Sequence, residues 1–212
     1  MRLTRATRPA QVALYLLAFG LAGLGVNLSL SQLVEPAARP SAITARNHVA
    51  AIAQSSRASG LAGHDRARDF ILEELTRLGL EPQLQRTSVV NRFEDSGDFL
   101  GSVVENVWVR IPGTAPTGAI VIDAHYDSGA TGPGAADCGT CVAAALEVAR
   151  TVATGPRLRN DIIVLFADAE EMGDLGARAW ADAYARPLNV RVAIALEGMG
   201  TTGPSEIGRA HV

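Results

Sequence analysis

Ala119-Ile120-Val121-Ile122-Asp123-Ala124-His125-Tyr126-Asp127 is the stretch that decides how this chain folds. Its first six residues are apolar except for Asp123. A run this short and this continuous marks a strand buried on both faces, because a half-buried strand would alternate. The run ends on a histidine and an aspartate. In open parallel sheets, ligands bind beyond the carboxyl ends of such strands.

The same pattern recurs downstream. Ile162 to Ala167 is a second apolar run, and Val190 to Leu196, apolar except for Arg191, is a third. Val142 to Val152 and Leu175 to Tyr184 have helical character. Upstream, Ala67, Phe70, Ile71, Leu75 and Leu78 fall at helical spacing, and Gly79 supplies the stop. Ser41 to Ser55 carries a weaker helical pattern on Ile43, Val49 and Ile52. His64 and Asp65 sit at the start of the Ala67 helix, where a lone histidine is expected to be an exposed end residue. Val103, Glu105, Val107, Val109 and Ile111 alternate with Val104, Asn106, Trp108 and Arg110, a strand closed by Pro112-Gly113. The stretch from Pro82 to Ile111 therefore predicts antiparallel strands at one side of the sheet. Strands alternating with helices predict an α/β fold: a mostly parallel central sheet with helices on both faces.

Composition narrows the function. The 212 residues suffice for one sizeable core. A net charge of -3 and 5% aromatic residues supply neither a basic surface nor stacking platforms, so nucleic acid is not an expected partner. The two cysteines, Cys138 and Cys141, do not make a disulfide framework.

The N-terminal region reads differently. Residues 1–11 carry Arg2, Arg5 and Arg8 and no acid. Residues 12–30 are almost wholly apolar, and a run of about 20 residues spans the hydrocarbon core as a helix. Basic residues before it predict a cytoplasmic N-terminus and an exported remainder. A cleaved signal peptide is the alternative, but its apolar region is usually only about 7–15 residues, and no clean small-x-small site follows. A transmembrane anchor in contact with membrane lipid is thus expected. Residues 31–40, with Pro36 and Pro40, read as a linker, and 41–206 as the exported domain.

Polar groups gather where the strands end. His125 follows the first buried strand, Glu170 and Glu171 lie just past the second, and Glu197 ends the third. Asp137 stands before the Val142 helix after Gly132-Pro133-Gly134-Ala135-Ala136. Taken singly, each has an ordinary explanation. Glu170-Glu171 suits a helix N-terminus, His125 a satisfied strand end, and Asp127 and Asp137 turns or caps. Together they bring several carboxylates to one edge, where each would cost several kcal/mol to desolvate without a counter-charge. A divalent cation resolves that conflict. A mixed histidine and carboxylate set suits zinc, with manganese or cobalt as alternatives.

The order His125-x-Asp127, Gly-Pro-Gly-Ala-Ala-Asp137, Glu170-Glu171-Met-Gly-Asp-Leu-Gly and Leu-Glu197-Gly-Met-Gly resembles the co-catalytic zinc exopeptidases of clan MH, which include aminopeptidase Y, glutamate carboxypeptidase and, more distantly, glutaminyl cyclases. The resemblance runs from about Ala42 to Ser205. It implies a zinc-exopeptidase (phosphorylase/hydrolase-like) fold, two Zn2+ ions in the full-length protein, and a peptide substrate. His125 and Glu197 would bind one zinc, Glu171 the second, and Asp137 would bridge them. Asp127 would hydrogen-bond the other nitrogen of His125, and Glu170 would be the general base. An aminopeptidase is the expected activity. A glutaminyl cyclase-like or other single-metal acyl-transfer enzyme on the same fold, or an inactive binding domain, are the alternatives.

The sequence also departs from that pattern. Cys138 stands where the family commonly has asparagine, and Glu197 where many relatives have aspartate. Cys138-Gly-Thr-Cys141 spells C-x-x-C at a helix start, which suits a disulfide, a reactive thiol or two small buried side chains. The resemblance also implies one more zinc-binding histidine, well downstream of Glu197. Ile207-Gly208-Arg209-Ala210-His211-Val212 reads like a translated sequencing-library adapter, so 207–212 is expected to be a non-native tail and His211 is not taken as that ligand. A C-terminally truncated peptidase domain is the resulting expectation, with further membrane helices possible beyond it.

Overall fold

Asp161–Ala167 is buried at every position, as a central strand covered on both faces must be. A computed structural model of the chain places it in the middle of a six-stranded sheet. The structure describes residues 40–92, 97, 99–198 and, as backbone, 207–210. The expected membrane segment over 12–30, the flanking 1–11 and most of the linker lie outside the described residues, as does His211. Among the described residues, no helix is long and apolar enough to cross a membrane.

Among the described residues two helices come first, α1 (Ala42–Ile52) and α2 (Ala62–Arg77). The hairpin β1 (Gln83–Arg92) and β2 (Phe99–Ile111) follows, then β3 (Ala119–His125). After it come α3 (Thr140–Thr154), β4 (Asp161–Ala167), α4 (Leu175–Trp180), β5 (Val190–Leu196) and β6 (Ile207–Ala210). The strand order is β1-β2-β4-β3-β5-β6. β3 lies parallel to β4 and to β5, while β1–β2, β2–β4 and β5–β6 pair antiparallel. The sheet is therefore mixed. The expected mostly parallel arrangement holds for its three middle strands. The difference comes from the hairpin, which adds two strands on one side, and from β6 on the other.

Strand alternation sorts the core into two layers. Ile162, Val164 and Phe166 of β4 face Ile71 and Leu75 of α2 and Val142, Leu146 and Ala149 of α3. Ile163, Leu165 and Ala167 face the opposite side, where Trp108, Trp180 and Ala185 pack. Helices thus cover both faces, as expected. Each large apolar side chain buried this way contributes about 1.5–3 kcal/mol. The sequence makes α2 a one-sided helix: Ala67, Ile71 and Leu75 are buried at four-residue steps, with Asp65 in the first turn and Arg77 in the last matching the dipole. α1 is capped by Ser41, whose Oγ accepts the Thr44 amide at 3.2 Å. The Ser41 amide in turn donates to Glu147 of α3 at 2.6 Å, tying the two helices together.

The pairing register sets the stage for the site. His125 is level with Ala167, so the carboxyl ends of β3 and β4 coincide. β2 pairs with β4 only over Val107–Ile111, whereas β1 and β2 remain paired out to Arg92 and Phe99. The outer half of the hairpin therefore projects past the sheet edge at which His125 stands.

Candidate metal centre

His125 closes β3 with its ring almost fully enclosed, 3% exposed. Its Nδ1 lies 3.3 Å from Asp127 Oδ1. Its Nε2 lies 3.2 Å from Asp137 Oδ1 and 3.9 Å from Glu170 Oε2. Ligand atoms of His125, Asp137 and Glu197 all fall within 4.8 Å of one another, and Cys138 Sγ falls inside the same limit. The end of β3, the segment before α3 and the end of β5 thus converge. A cavity of about 50 Å³ opens among His125, Asp123, Glu170, Asp174 and Glu197. That is room for an ion or a water molecule, whose share of liquid volume is about 30 Å³.

The electrostatics of this cavity suit a cation. Four carboxylates line it with one imidazole, and among the described residues no arginine does. Burial by itself would hold His125 neutral, yet the hydrogen bond and charge of Asp127, with Glu170 and Asp137, raise its pKa to about 9. Burial also raises the Glu170 carboxyl, against the pull of His125, and the charges of Asp174, Asp127 and Glu197 add to the rise. Burial lifts Asp123 to about 7, with His125 opposing and Glu197 and Asp174 reinforcing. Asp123 Oδ1 is a buried acceptor with no hydrogen-bond partner among the described residues. An imidazole, clustered carboxylates and an orphaned acceptor fit a divalent ion better than they fit one another.

Asp127 is the organiser. It is 1% exposed. Besides facing His125, its Oδ1 accepts the Glu170 amide at 3.1 Å and its Oδ2 the Glu171 amide at 3.2 Å. The turn after β4 is thereby held against the end of β3. That turn contains Ala169 at φ 54°, a left-handed conformation costing a non-glycine residue roughly 1–2 kcal/mol. Burial of Ala169 with Val104 and Leu175 offsets the cost. Glu170 and Glu171 lie in this turn and not in a helix, since α4 begins only at Leu175. Glu171 turns aside: its Oε1 accepts the Gly129 amide at 2.9 Å, and it does not join the group around His125.

Arg57 was not legible as part of the site. It is fully buried in the loop between α1 and α2. Its Nε donates to the Tyr126 carbonyl at 2.7 Å, Nη2 to Gly134 at 3.0 Å, and Nη1 to Pro133. Its own amide donates to Ser128 Oγ at 2.9 Å. One guanidinium thus clamps the chain after His125 to the turn before Asp137. Gly134 has to be glycine there, because at φ 55° an added Cβ would sit 2.3 Å from the Asp137 carbonyl oxygen. An isolated arginine among serines and alanines carries no signal of this role.

His64 corrects an expectation. It is buried, 5% exposed, and its Nε2 lies 2.8 Å from Oδ1 of the fully buried Asp168. Asp168 Oδ2 also accepts the Glu105 amide at 2.8 Å. Position at a helix start suggested exposure, but β2 and the turn after β4 cover this end of α2. Asn106, also fully buried, accepts the Asp168 amide at 2.9 Å and donates to the Gly176 carbonyl at 2.8 Å. It braces the Glu170 turn from the side of the hairpin. Cys138 and Cys141, left open by the sequence, are joined as a disulfide and fully buried.

Comparison with known proteins places this geometry. Residues 106–209 match the profile of peptidase family M28. A vacuolar membrane protease of Schizosaccharomyces japonicus is 34% identical over 155 residues, covering 69% of this chain and 18% of its own length. The vacuolar membrane protease of Penicillium rubens is 34% identical over 106 residues, 49% of this chain and 11% of that protein. The chain thus spans less than a fifth of these curated relatives. A glutaminyl cyclase of Porphyromonas gingivalis superposes with a TM-score of 0.64 at 27% identity, covering 77% of this chain and 61% of that one. A Zn-dependent exopeptidase of Parabacteroides distasonis shares the fold with a TM-score of 0.63 at 23% identity, covering 77% and 63%.

Proposed function

We propose that this chain, whose residues 106–209 match the profile of peptidase family M28, carries the catalytic centre of a zinc-dependent exopeptidase, most simply an aminopeptidase. The convergence of His125, Asp137 and Glu197, with Glu170 beside the imidazole, carries this reading. His125, Asp137 and Glu197 would hold a zinc ion, and Glu171 would serve a second one on leaving the Gly129 amide. Bound zinc supplies a Lewis acid for the scissile carbonyl and lowers the pKa of water toward about 7.

The chain's own residues do the rest. Asp127 fixes the His125 tautomer so that Nε2 faces the cavity. Glu170 takes a proton from the attacking water and passes it to the leaving amine.

The names of the relatives as membrane proteases support placing the domain at a membrane; the apolar run over 12–30 and the arginines before it make that segment the proposed anchor, with the catalytic side outside the cytoplasm. A single-metal acyl-transfer enzyme of the glutaminyl cyclase kind is the second reading. It is favoured by the likeness to the Porphyromonas gingivalis structure and by Glu171 standing apart from the group around His125. The deciding experiment uses Glu170→Gln in the full-length gene product with an amino-acid anilide as substrate. Loss of hydrolysis with zinc content retained is expected; unchanged turnover removes Glu170 from its role. Two zinc ions per chain favour the peptidase, and one favours the cyclase.

A further inference from the structure

We propose that Cys138 is a metal ligand withheld by its disulfide, so that the metal centre has two coordination states set by the oxidation of Cys138 and Cys141. This rests on the zinc-site reading of His125, Asp137 and Glu197. Cys138 follows Asp137 directly, and its Sγ lies within 4.8 Å of the ligand atoms of all three residues. The side chain is fully buried, with Sγ 3.6 Å from the Leu196 carbonyl oxygen, next to Glu197. The sulfur therefore stands among the ligands, and only its bond to Cys141 keeps it from being one.

The chemistry separates the two states. A disulfide sulfur carries no charge and is a poor zinc ligand. With the bond intact, His125, Asp137 and Glu197 would be the protein ligands, leaving a position for water on a four-coordinate ion. A thiolate is the softer and stronger donor, bonding zinc at about 2.3 Å. His125, Asp137, Glu197 and Cys138 then make four protein ligands, the closed set of a structural site with no place for water. The disulfide spans a sequence separation of 3. Closing so short a loop restrains the unfolded chain less than the roughly 3 kcal/mol expected for a 15-residue loop. Keeping the sulfur off the ion is the consequence of this bond that bears directly on the site.

Reduction by a water-soluble phosphine balances simply. Phosphorus takes one oxygen atom from water and becomes the phosphine oxide. The two hydrogens of that water and the two electrons from phosphorus convert the disulfide to two thiols. When Cys138 binds the ion, its proton goes to solvent.

Cobalt(II) absorption on the full chain reads the outcome. The oxidised chain is expected to show visible d–d bands and no near-ultraviolet sulfur-to-cobalt charge-transfer band. After the phosphine, that band should appear at an intensity of one thiolate per cobalt. Cys141→Ser should show it without reductant, and Cys138→Ser should not show it in either state. Cobalt bound without the band in both the reduced chain and Cys141→Ser overturns the inference while leaving the zinc site standing. A band that persists in Cys138→Ser overturns it too. Absence of d–d bands from every form defeats the zinc-site reading itself, and the inference with it.

Discussion

The carboxylate of Asp127 holds the Glu170 turn and the His125 ring with the same oxygen: Oδ1 accepts the Glu170 amide at 3.1 Å and lies 3.3 Å from His125 Nδ1. The proposed ligand His125 and the proposed general base Glu170 are therefore both positioned by one buried side chain. Asp127→Asn keeps the shape but exchanges an acceptor for an NH2 group, which must then face either the imidazole or a backbone amide. Zinc affinity or kcat should fall by about 10–100-fold, the usual loss when a group orienting a ligand is removed. Isothermal titration with zinc and steady-state kinetics check this; a change under threefold would contradict it.

Arg57 is the second organiser. Arg57→Met would leave the Tyr126, Pro133 and Gly134 carbonyls without their donor. Each buried orphan costs about 1–3 kcal/mol, so with three of them the variant should lose at least roughly 3 kcal/mol in urea denaturation. Arg57→Lys should also be destabilised, because an ammonium cannot reproduce the fork. Wild-type stability in Arg57→Lys would show that the charge alone matters.

The His64–Asp168 pair predicts a pH dependence. Burial by itself would lower the His64 pKa, but the hydrogen bond and charge of Asp168 raise it above the ordinary value. The unfolded histidine titrates near about 6.5. The stabilisation is therefore complete below that pH and is lost as pH rises through the folded pKa. His64→Gln should cost more stability at pH 5.5 than at pH 9, by urea midpoints with m unchanged. An equal cost at both would contradict the pairing.

Asp161 makes the opposite prediction. Burial would raise its pKa, yet the Gly113 amide and Arg110, which donates through Nε at 2.9 Å, lower it. Its stabilisation is present above the ordinary aspartate range near about pH 4 and is lost as pH falls through the depressed folded pKa. The destabilisation caused by Asp161→Asn at pH 7 should therefore shrink in acid. A cost independent of pH would mean that the contact is not ionic.

Much of this was readable before folding, for a physical reason. Short apolar runs at 119–124, 162–167 and 190–196, interrupted only by Asp123 and Arg191, predict strands, and all three appear; burial at every position is reached only by the central Asp161–Ala167, while Val190–Leu196 is mostly half-buried. The site is legible to the extent that it sits at their ends. What periodicity did not reveal depends on contacts distant in sequence. The burial of His64 comes from Asp168, 104 residues away, and the placement of Arg57 from the carbonyl of Tyr126, 69 residues away. Local pattern is blind to such partners. The mixed sheet was foreshadowed by the hairpin but not by the pairing of β6, whose residues carry no strand signature of their own.

Anomalous diffraction at the zinc edge, from crystals of the chain grown with zinc, addresses the metal centre directly. A peak is expected within about 2.0–2.2 Å of His125 Nε2 and of carboxylate oxygens from Asp137 and Glu197. Zinc found only on surface residues, with His125 still hydrogen-bonded to Asp137, would contradict the account.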